Sequence, residues 1–268
     1  MIETILFAVL CAALCTLRAL VSLWAVDPAT GFYEGHAPLV FAQNALWAAE
    51  IAVFLLLSLL HKKDRWSFPG RFLRGIPLAV AGAAFIGCSS VMLIENLLRF
   101  TEGDSSVKLS GILLQVIGIA AGLVMAGASL RLCRGRRNGS GILPAAFPAL
   151  YMALAAVQSF LSYPTIASIS DQQLEICTLS AGAFFFLAHA RVLSGERGTA
   201  AVSYARGWGF CFALSGLSLC LGQQLATASG DWRMTVAERL LLALLSLYAA
   251  AFSCPLHISQ RQNGYISQ

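Results

Sequence analysis

Eight long apolar runs, separated by short polar segments, limit the fold of this chain more than any other feature. Each run exceeds the roughly 20 residues that a helix needs to cross a hydrocarbon core about 30 Å thick. A backbone in lipid has to satisfy its own hydrogen bonds, so each run is predicted to form a transmembrane α-helix. The runs cover residues 4–26, 38–60, 75–98, 109–130, 143–163, 172–193, 207–228 and 234–255.

The composition agrees with lipid as the solvent. Of the 268 residues, 58% are hydrophobic and 12% are charged, whereas soluble domains contain about 25% charged residues. The longest polar segment, residues 61–75, is too short for a separate soluble domain. We therefore predict an all-α fold, a polytopic integral membrane protein with eight transmembrane helices in a single domain over residues 1–268.

An internal duplication of residues 1–137 and 138–268 is topologically allowed, because equivalent runs in the two halves would have the same orientation. The dipeptides Arg-Gly and Gly-Asp recur in equivalent segments of the two halves. These recurrences do not share one register, so the sequence leaves the duplication open.

Basic and acidic residues alternate between successive polar segments. The segments after the second, fourth and sixth runs contain Lys62, Lys63, Arg65, Arg71, Arg74, Arg131, Arg134, Arg136, Arg137, Arg191, Arg197 and Arg206, and the opposite segments contain Asp27, Glu34, Glu102, Asp104, Asp171 and Asp231. Lys and Arg concentrate on the cytoplasmic side of short loops. The alternation predicts antiparallel hairpins in the cell membrane, with both termini in the cytoplasm.

Two charged side chains lie deep inside apolar runs, Arg18 in the first and Glu50 in the second. A charge at a helix centre costs about 2.5–3.5 kcal/mol on insertion scales, so such a residue marks either a function or a neutralising pair. We predict a contact between Arg18 and Glu50, either direct or through Asn44 or water. Two interpretations stay open: a structural pair that holds the first two helices together, and the floor of a ligand site.

Further polar groups lie toward the predicted outer ends of other runs, among them Glu95 in the third and Gln223 in the seventh. If these two side chains face inward, they form the wall of a pocket open to the outside, above the floor of Arg18, Asn44 and Glu50. The acids of such a pocket would favour a cation or an amine-bearing ligand. The alternative is that the terminal groups mark helix ends at the level of the lipid headgroups.

Small residues at four-residue spacing predict where helices pack closely, since lipid supplies no hydrophobic drive for their association. The fourth run contains Gly118, Gly122 and Ala126 in this spacing, and the third contains Ala79, Ala83 and Gly87. We expect both faces to be packing faces that contact neighbouring helices.

Motifs for catalysis, metals and cofactors are missing from the sequence. The eight cysteines form no CxxC pair, and we expect them to act as small hydrophobes. No phosphate loop, dinucleotide fingerprint or zinc-ligand spacing is present. His189, near the basic end of its run, is interpreted as reaching toward the headgroups. The sequence thus predicts no catalytic residue, no metal and no cofactor.

Two functional hypotheses follow from these features, beside an enzyme of the lipid phase, for which the sequence offers no nucleophile or metal. The first is a membrane protein that binds or transports a small polar or cationic molecule, with Arg18, Asn44, Glu50, Glu95 and Gln223 as the binding residues. The second is a sensory or scaffolding subunit that acts through a separate cytoplasmic partner, because the chain has no output domain of its own. Both involve membrane lipid as a partner. Neither involves nucleic acid, since the basic residues are dispersed over several loops.

Overall fold

The protein is a bundle of α-helices. A computed structural model describes residues 2–26, 33, 35–61, 66–67, 71–102, 109–134, 145–162, 172–194, 199–225, 234–254 and 257–258. In these residues the helices are α1 (Ile2–Trp24), α2 (Ala37–Leu60), α3 (Arg71–Thr101), α4 (Leu109–Cys133), α5 (Phe147–Ser162), α6 (Gln172–Leu193), α7 (Thr199–Leu225) and α8 (Val236–Ser253). The two-residue segments β1 (Trp66–Ser67) and β2 (His257–Ile258) pair antiparallel. The predicted helical class is confirmed.

Six of these helices, α1 to α4, α6 and α8, are long and apolar enough to cross a membrane. Helix α5 has 16 residues, which corresponds to about 24 Å at 1.5 Å per residue. Helix α7 has 27 residues but a more polar composition. The finding supports a multi-pass membrane protein, whereas the count of eight spans stays a prediction.

Large apolar side chains cover the outside of the bundle. Phe41 of α2, Leu109 of α4 and Val236 of α8 expose 75%, 75% and 72% of their surfaces. Exposed apolar area of this extent is unusual for a monomer in water and marks a surface that another apolar medium covers. Lipid chains provide that medium around a transmembrane bundle.

Helix α7 is the central helix and contacts α1, α2, α6 and α8. Between residues 200 and 225 only Gln224 is exposed. A helix that other helices surround does not need an apolar surface toward lipid. This position explains why α7 tolerates the serines, glycines and glutamines that lower its apolar character.

Helices α3 and α4 pack at the distance that glycine allows. A Cβ atom at Gly82 would lie 2.9 Å from the carbonyl oxygen of Gly122, and one at Gly122 would lie 2.7 Å from the carbonyl oxygen of Gly82. Side chains of any size are excluded at these points. The predicted packing face of α4, which contains Gly122, is confirmed.

The predicted packing face of α3 is wrong. Ala79, Ala83 and Gly87 are exposed, and Gly82 and Ser89 face α4 instead. Residue 82 lies one position from residue 83, which rotates the face by about 100° around the helix. Small residues occupy lipid-facing positions as readily as packed ones, so their spacing alone did not identify the packed face.

The start of α1 lies beside the end of α8. The hydroxyl of Thr4 donates a hydrogen bond to the backbone carbonyl of Cys254, with 3.2 Å between the two oxygens. This end of the bundle, where α1 begins and α8 ends, is called the basal end, and the opposite end is called the apical end. The paired segments β1 and β2 follow the basal ends of α2 and α8.

Candidate functional site

Helix α2 turns a polar face toward the inside of the bundle. Gln43, Glu50 and Ser58 are buried, together with Phe54. Residues seven or eight positions apart lie on the same side of a helix, so these side chains form one line. We call the line between α1, α2 and α7 the polar column, with Arg18 and Gln43 at its apical level and Glu50 near its middle.

Arg18 contacts groups other than the predicted Glu50. Only 1% of its surface is exposed, its Nη1 donates a hydrogen bond to Gln43 Oε1 at 3.3 Å, and it also bonds to the Tyr33 side chain. On α7, a Cβ atom at Gly222 would lie 3.1 Å from Arg18 Cγ, so glycine leaves the space that the arginine fills.

The predicted direct contact between Arg18 and Glu50 is absent from the described residues, because the two groups lie at different heights, and a contact through water stays a prediction. Gln43 lies seven residues before Glu50 on the same face of α2, about 10 Å closer to the apical end. Arg18 lies at the level of Gln43. Asn44, the predicted intermediary, is exposed, because one residue along the helix rotates a side chain by about 100°.

Glu50 is buried with its charge-bearing atoms unbonded. Its surface is 1% exposed, and neither carboxylate oxygen has a hydrogen-bond partner within the described residues. Its electrostatic neighbours are the thiols of Cys11, Cys15 and Cys211. Thiols are weak donors, so they compensate the carboxyl poorly. Burial of an uncompensated carboxylate costs several kcal/mol.

A second unbonded polar atom lies one helical turn from Glu50. The indole nitrogen of Trp47, a donor only, is buried and has no hydrogen-bond partner in the part of the chain that the structure describes. Trp47 is half-buried against the core. Residues three apart on a helix are neighbours on its surface. Trp47 and Glu50 are thus neighbours on α2, and each has a buried polar atom with no hydrogen-bond partner among the described residues.

The other two predicted site residues lie away from Glu50. Gln223 is buried, follows the glycine that packs on Arg18, and its backbone carbonyl accepts a hydrogen bond from Arg239 Nη1 at 3.2 Å. Glu95 is exposed on α3. The structure thus brings Arg18 and Gln223 into the interior at the apical level and Glu50 near the middle, and leaves Glu95 at the surface.

The basal end of the polar column carries an ionic cluster that the sequence analysis missed. Glu3, in the first turn of α1, forms an ion pair with Arg206 of α7, and its other oxygen lies 3.5 Å from His61 Nδ1. Arg206 Nε also donates to the carbonyl of Ser253 at 3.1 Å. The sequence places Glu3 just before the first apolar run and Arg206 just before the seventh, but nothing in it indicated that these two positions meet.

His189 does not reach toward the headgroups, so that interpretation is wrong. It is 3% exposed, and its Nε2 lies 2.6 Å from the hydroxyl of Tyr248 on α8. The rings of Phe185, Phe186 and Phe252 surround it. Its position as an ionisable residue inside an apolar run was the available signal for a buried partner.

Metal binding finds no support in this arrangement, since the described His, Cys, Asp and Glu side chains form no group of three that could hold a metal ion. What the polar column offers chemically is a buried acid and, one helical turn away, an N–H donor, neither of which has a hydrogen-bond partner among the described residues. No family model, no curated protein and no solved structure matches this chain.

Proposed function

We propose that this multi-pass membrane protein binds a small amine-bearing polar molecule at Glu50 and moves it across the membrane between α1, α2 and α7. The observation that carries the proposal is the Glu50 carboxyl, buried with both oxygens unbonded among the described residues. An acid that only held helices together would have a structural partner, because an isolated buried charge destabilises the fold.

The chemistry around Glu50 favours a ligand with two functional groups. A protonated amine would supply the donors and the positive charge that the carboxyl lacks. An acceptor oxygen on the same molecule would take the N–H of Trp47, and the indole face would attract the ammonium group. A bare cation would use only the first of these features.

The remaining predicted residues take secondary roles in this proposal. Arg18 with Gln43 lies about 10 Å from Glu50 toward the apical end, so it does not contact a ligand bound at Glu50. Gln223, on α7, lies at the level of Arg18. Glu95, which is exposed on α3, has no role in the column that its surroundings support.

A binding experiment with matched ligands and variants tests the proposal. Ethanolamine and ethylamine differ by one hydroxyl, and a ligand that binds the folded state raises the unfolding temperature of the detergent-purified protein. We expect both amines to raise it, and ethanolamine to raise it more. Glu50→Gln should abolish both effects, whereas Trp47→Phe should remove only the advantage of ethanolamine.

The control for this experiment is Glu102→Gln, the same chemical change at an exposed glutamate at the apical end of α3. It should respond to both amines like the natural protein. Normal responses in Glu50→Gln would contradict the proposal. An equal effect of Trp47→Phe on both amines would mean that Trp47 does not bind an acceptor oxygen of the ligand. Glu50 would remain the residue that binds the amine.

The orientation in the membrane is part of the proposal. We infer that the basal end faces the cytoplasm, because the basic segments after the second, fourth and sixth runs lie at the end where α2, α4 and α6 finish. The Thr4–Cys254 hydrogen bond supports an even number of spans, since it joins the first and last helices at one end. In a cell membrane this orientation exposes the apical end to the outside.

The second candidate is a sensory or scaffolding subunit with a cytoplasmic partner. The pairing of β1 with β2 favours it, because this pairing joins the segment after α2 to the segment after α8 into one basal surface. Co-purification of a defined soluble kinase or ATPase that is lost on mutation of these segments would support this candidate over transport.

A further inference from the structure

The basal end of the polar column is closed by three successive layers between the surface and Glu50. The outermost layer is the ion pair of Glu3 with Arg206, whose side chains are 18% and 8% exposed. Water at the basal surface therefore reaches the edge of this pair. Beneath it lies a cavity of about 10 Å³ beside Ser58 and Ser203, which is close to the minimum volume that holds one water molecule.

The innermost layer consists of three phenylalanine rings, one from each helix of the column. The centroids of Phe54 and Phe7 lie 4.8 Å and 4.9 Å from that of Phe210, and 6.3 Å from each other. The guanidinium carbon of Arg206 lies 5.3 Å from the centroid of the Phe210 ring. The arginine thus touches both the ionic layer and the aromatic layer, so its position couples the two.

Glu50 and Cys211 lie directly beyond the aromatic layer. Glu50 precedes Phe54 by one helical turn on α2, and Cys211 follows Phe210 on α7. The Cys211 Sγ lies 3.9 Å from the backbone carbonyl of Ile51, and the residue is fully buried. Any route from the basal surface to Glu50 along the column passes the ion pair and the three rings.

The polar contacts at this level differ between the two sides of the closure. Helices α2 and α7 are held together at this level, because the hydroxyls of Ser58 and Ser203 each donate to the other residue's backbone carbonyl, at 2.9 and 2.6 Å. Helix α1 contributes Glu3 and Phe7 and is joined at its first turn by polar contacts near the surface. Because Arg206 is buried, removal of either partner of the Glu3–Arg206 ion pair leaves the other charge poorly compensated.

We propose that the first two turns of α1 form a basal gate, held shut by the Glu3–Arg206 ion pair and sealed by Phe7 against Phe54 and Phe210. The proposal rests on the proposed function, since a gate requires a path to Glu50. When the ion pair breaks, the first two turns of α1 move away from α2 and α7, and the Glu50 level opens to the basal side.

The chain contains a natural reporter for this gate in the thiol of Cys211. A small polar methanethiosulfonate reagent modifies only thiols that water reaches, and peptide mass spectrometry gives the rate at each cysteine of the purified full-length protein. Cys211 should react slowly in the natural protein. Glu3→Gln and Arg206→Gln should each raise its rate at least tenfold. Cys88, buried on α3 away from the column, should keep its slow rate in every variant.

The charge swap Glu3→Arg with Arg206→Glu supplies the second arm, and it should restore the protection of Cys211. Unchanged Cys211 rates in both single variants would overturn the proposal. If Cys88 and Cys211 both become reactive in the single variants, these substitutions have disturbed the whole fold, and the charge-swap variant then tests the gate. Restored protection of both thiols supports the gate, and a reactive Cys211 in the swap overturns it.

The labelling readout needs no ligand, so it separates the gate from the proposed function. If the amines fail to bind but the labelling follows the expected pattern, the proposed ligand is wrong and the proposed gate stands. Normal amine binding with no labelling response would remove the gate and leave the binding site at Glu50.

Discussion

Replacement of Glu50 by leucine should make the protein more stable. Leucine is close to glutamate in volume and carries no polar atom, so Glu50→Leu removes two buried oxygens that have no donors within the described residues. A buried polar group without a partner costs about 1–3 kcal/mol, and replacing poorly compensated buried charges by apolar residues often stabilises by a similar amount. We expect a gain of about 1–3 kcal/mol, or an unfolding temperature higher by roughly 2–8 °C.

The opposite result is expected for the other buried charge of the column. Arg18→Leu removes the hydrogen bond to Gln43 Oε1 and leaves that oxygen buried without its donor. This variant should lose about 2–3 kcal/mol. Glu102→Leu, at an exposed position at the end of α3, should change stability by less than about 0.5 kcal/mol. The three leucine variants therefore have different expected effects on stability: a gain, a loss and almost no change.

Thermal unfolding in detergent measures these differences. A fluorophore that reacts with newly exposed thiols reports unfolding, because Cys88 and Cys211 are buried in the folded protein. The refuting result is a Glu50→Leu variant that loses as much stability as Arg18→Leu. Such a loss would mean that the Glu50 carboxyl holds the helices together, and the argument that its free oxygens await a ligand would fail.

Two further predictions concern the packing of the bundle and use the same assay. Gly122→Ala should destabilise the protein by about 1–3 kcal/mol, because its Cβ would overlap the backbone of Gly82. Gly127→Ala on the same helix has nothing within 4 Å of the added atom, so it should be neutral or stabilising by up to about 1 kcal/mol. Equal losses of stability in the two variants would contradict this packing of α3 on α4. Tyr248→Phe should lower the stability by about 1–3 kcal/mol, because it removes the hydrogen-bond partner of the buried His189 ring. The double variant with His189→Phe should recover most of that stability. No recovery would mean that the shape of the aromatic rings, not the hydrogen bond, is what stabilises the protein.

The positions of the helices were predictable from the sequence, because hydropathy depends on the summed transfer energy of about 20 side chains and an error at one position changes little. The central place of α7 was less visible. Its run was predicted as one more transmembrane span. The fourth run has equally many glycines and serines, so composition alone did not identify α7 as the helix that the others surround.

The partners of the buried charges were not predictable, because helix faces depend on single positions. The choice of Asn44 over Gln43 as the neighbour of Arg18 was an error of one residue, and it rotates the side chain by about 100°. Gln43 and Glu50 are seven residues apart, and this spacing was the correct signal for a shared face. The pairing of Glu3 with Arg206 joins opposite parts of the chain, and only the packing of α1 on α7 creates it.

A buried acid that lowers stability needs a reason to exist in some other state of the protein. The hydrogen bond from Arg18 to Gln43 explains the presence of Arg18 in the structure as it stands, since loss of its side chain would leave Gln43 Oε1 without that donor. The oxygens of Glu50 offer no such explanation in the described residues. In the proposed function the compensating interaction comes from a ligand, and in the proposed gate the layers at the basal end are the part of the column that opens. If Glu50→Leu stabilises the protein while Glu50→Gln loses amine binding, the same side chain opposes folding and serves binding, which is the pattern expected of a residue kept for function.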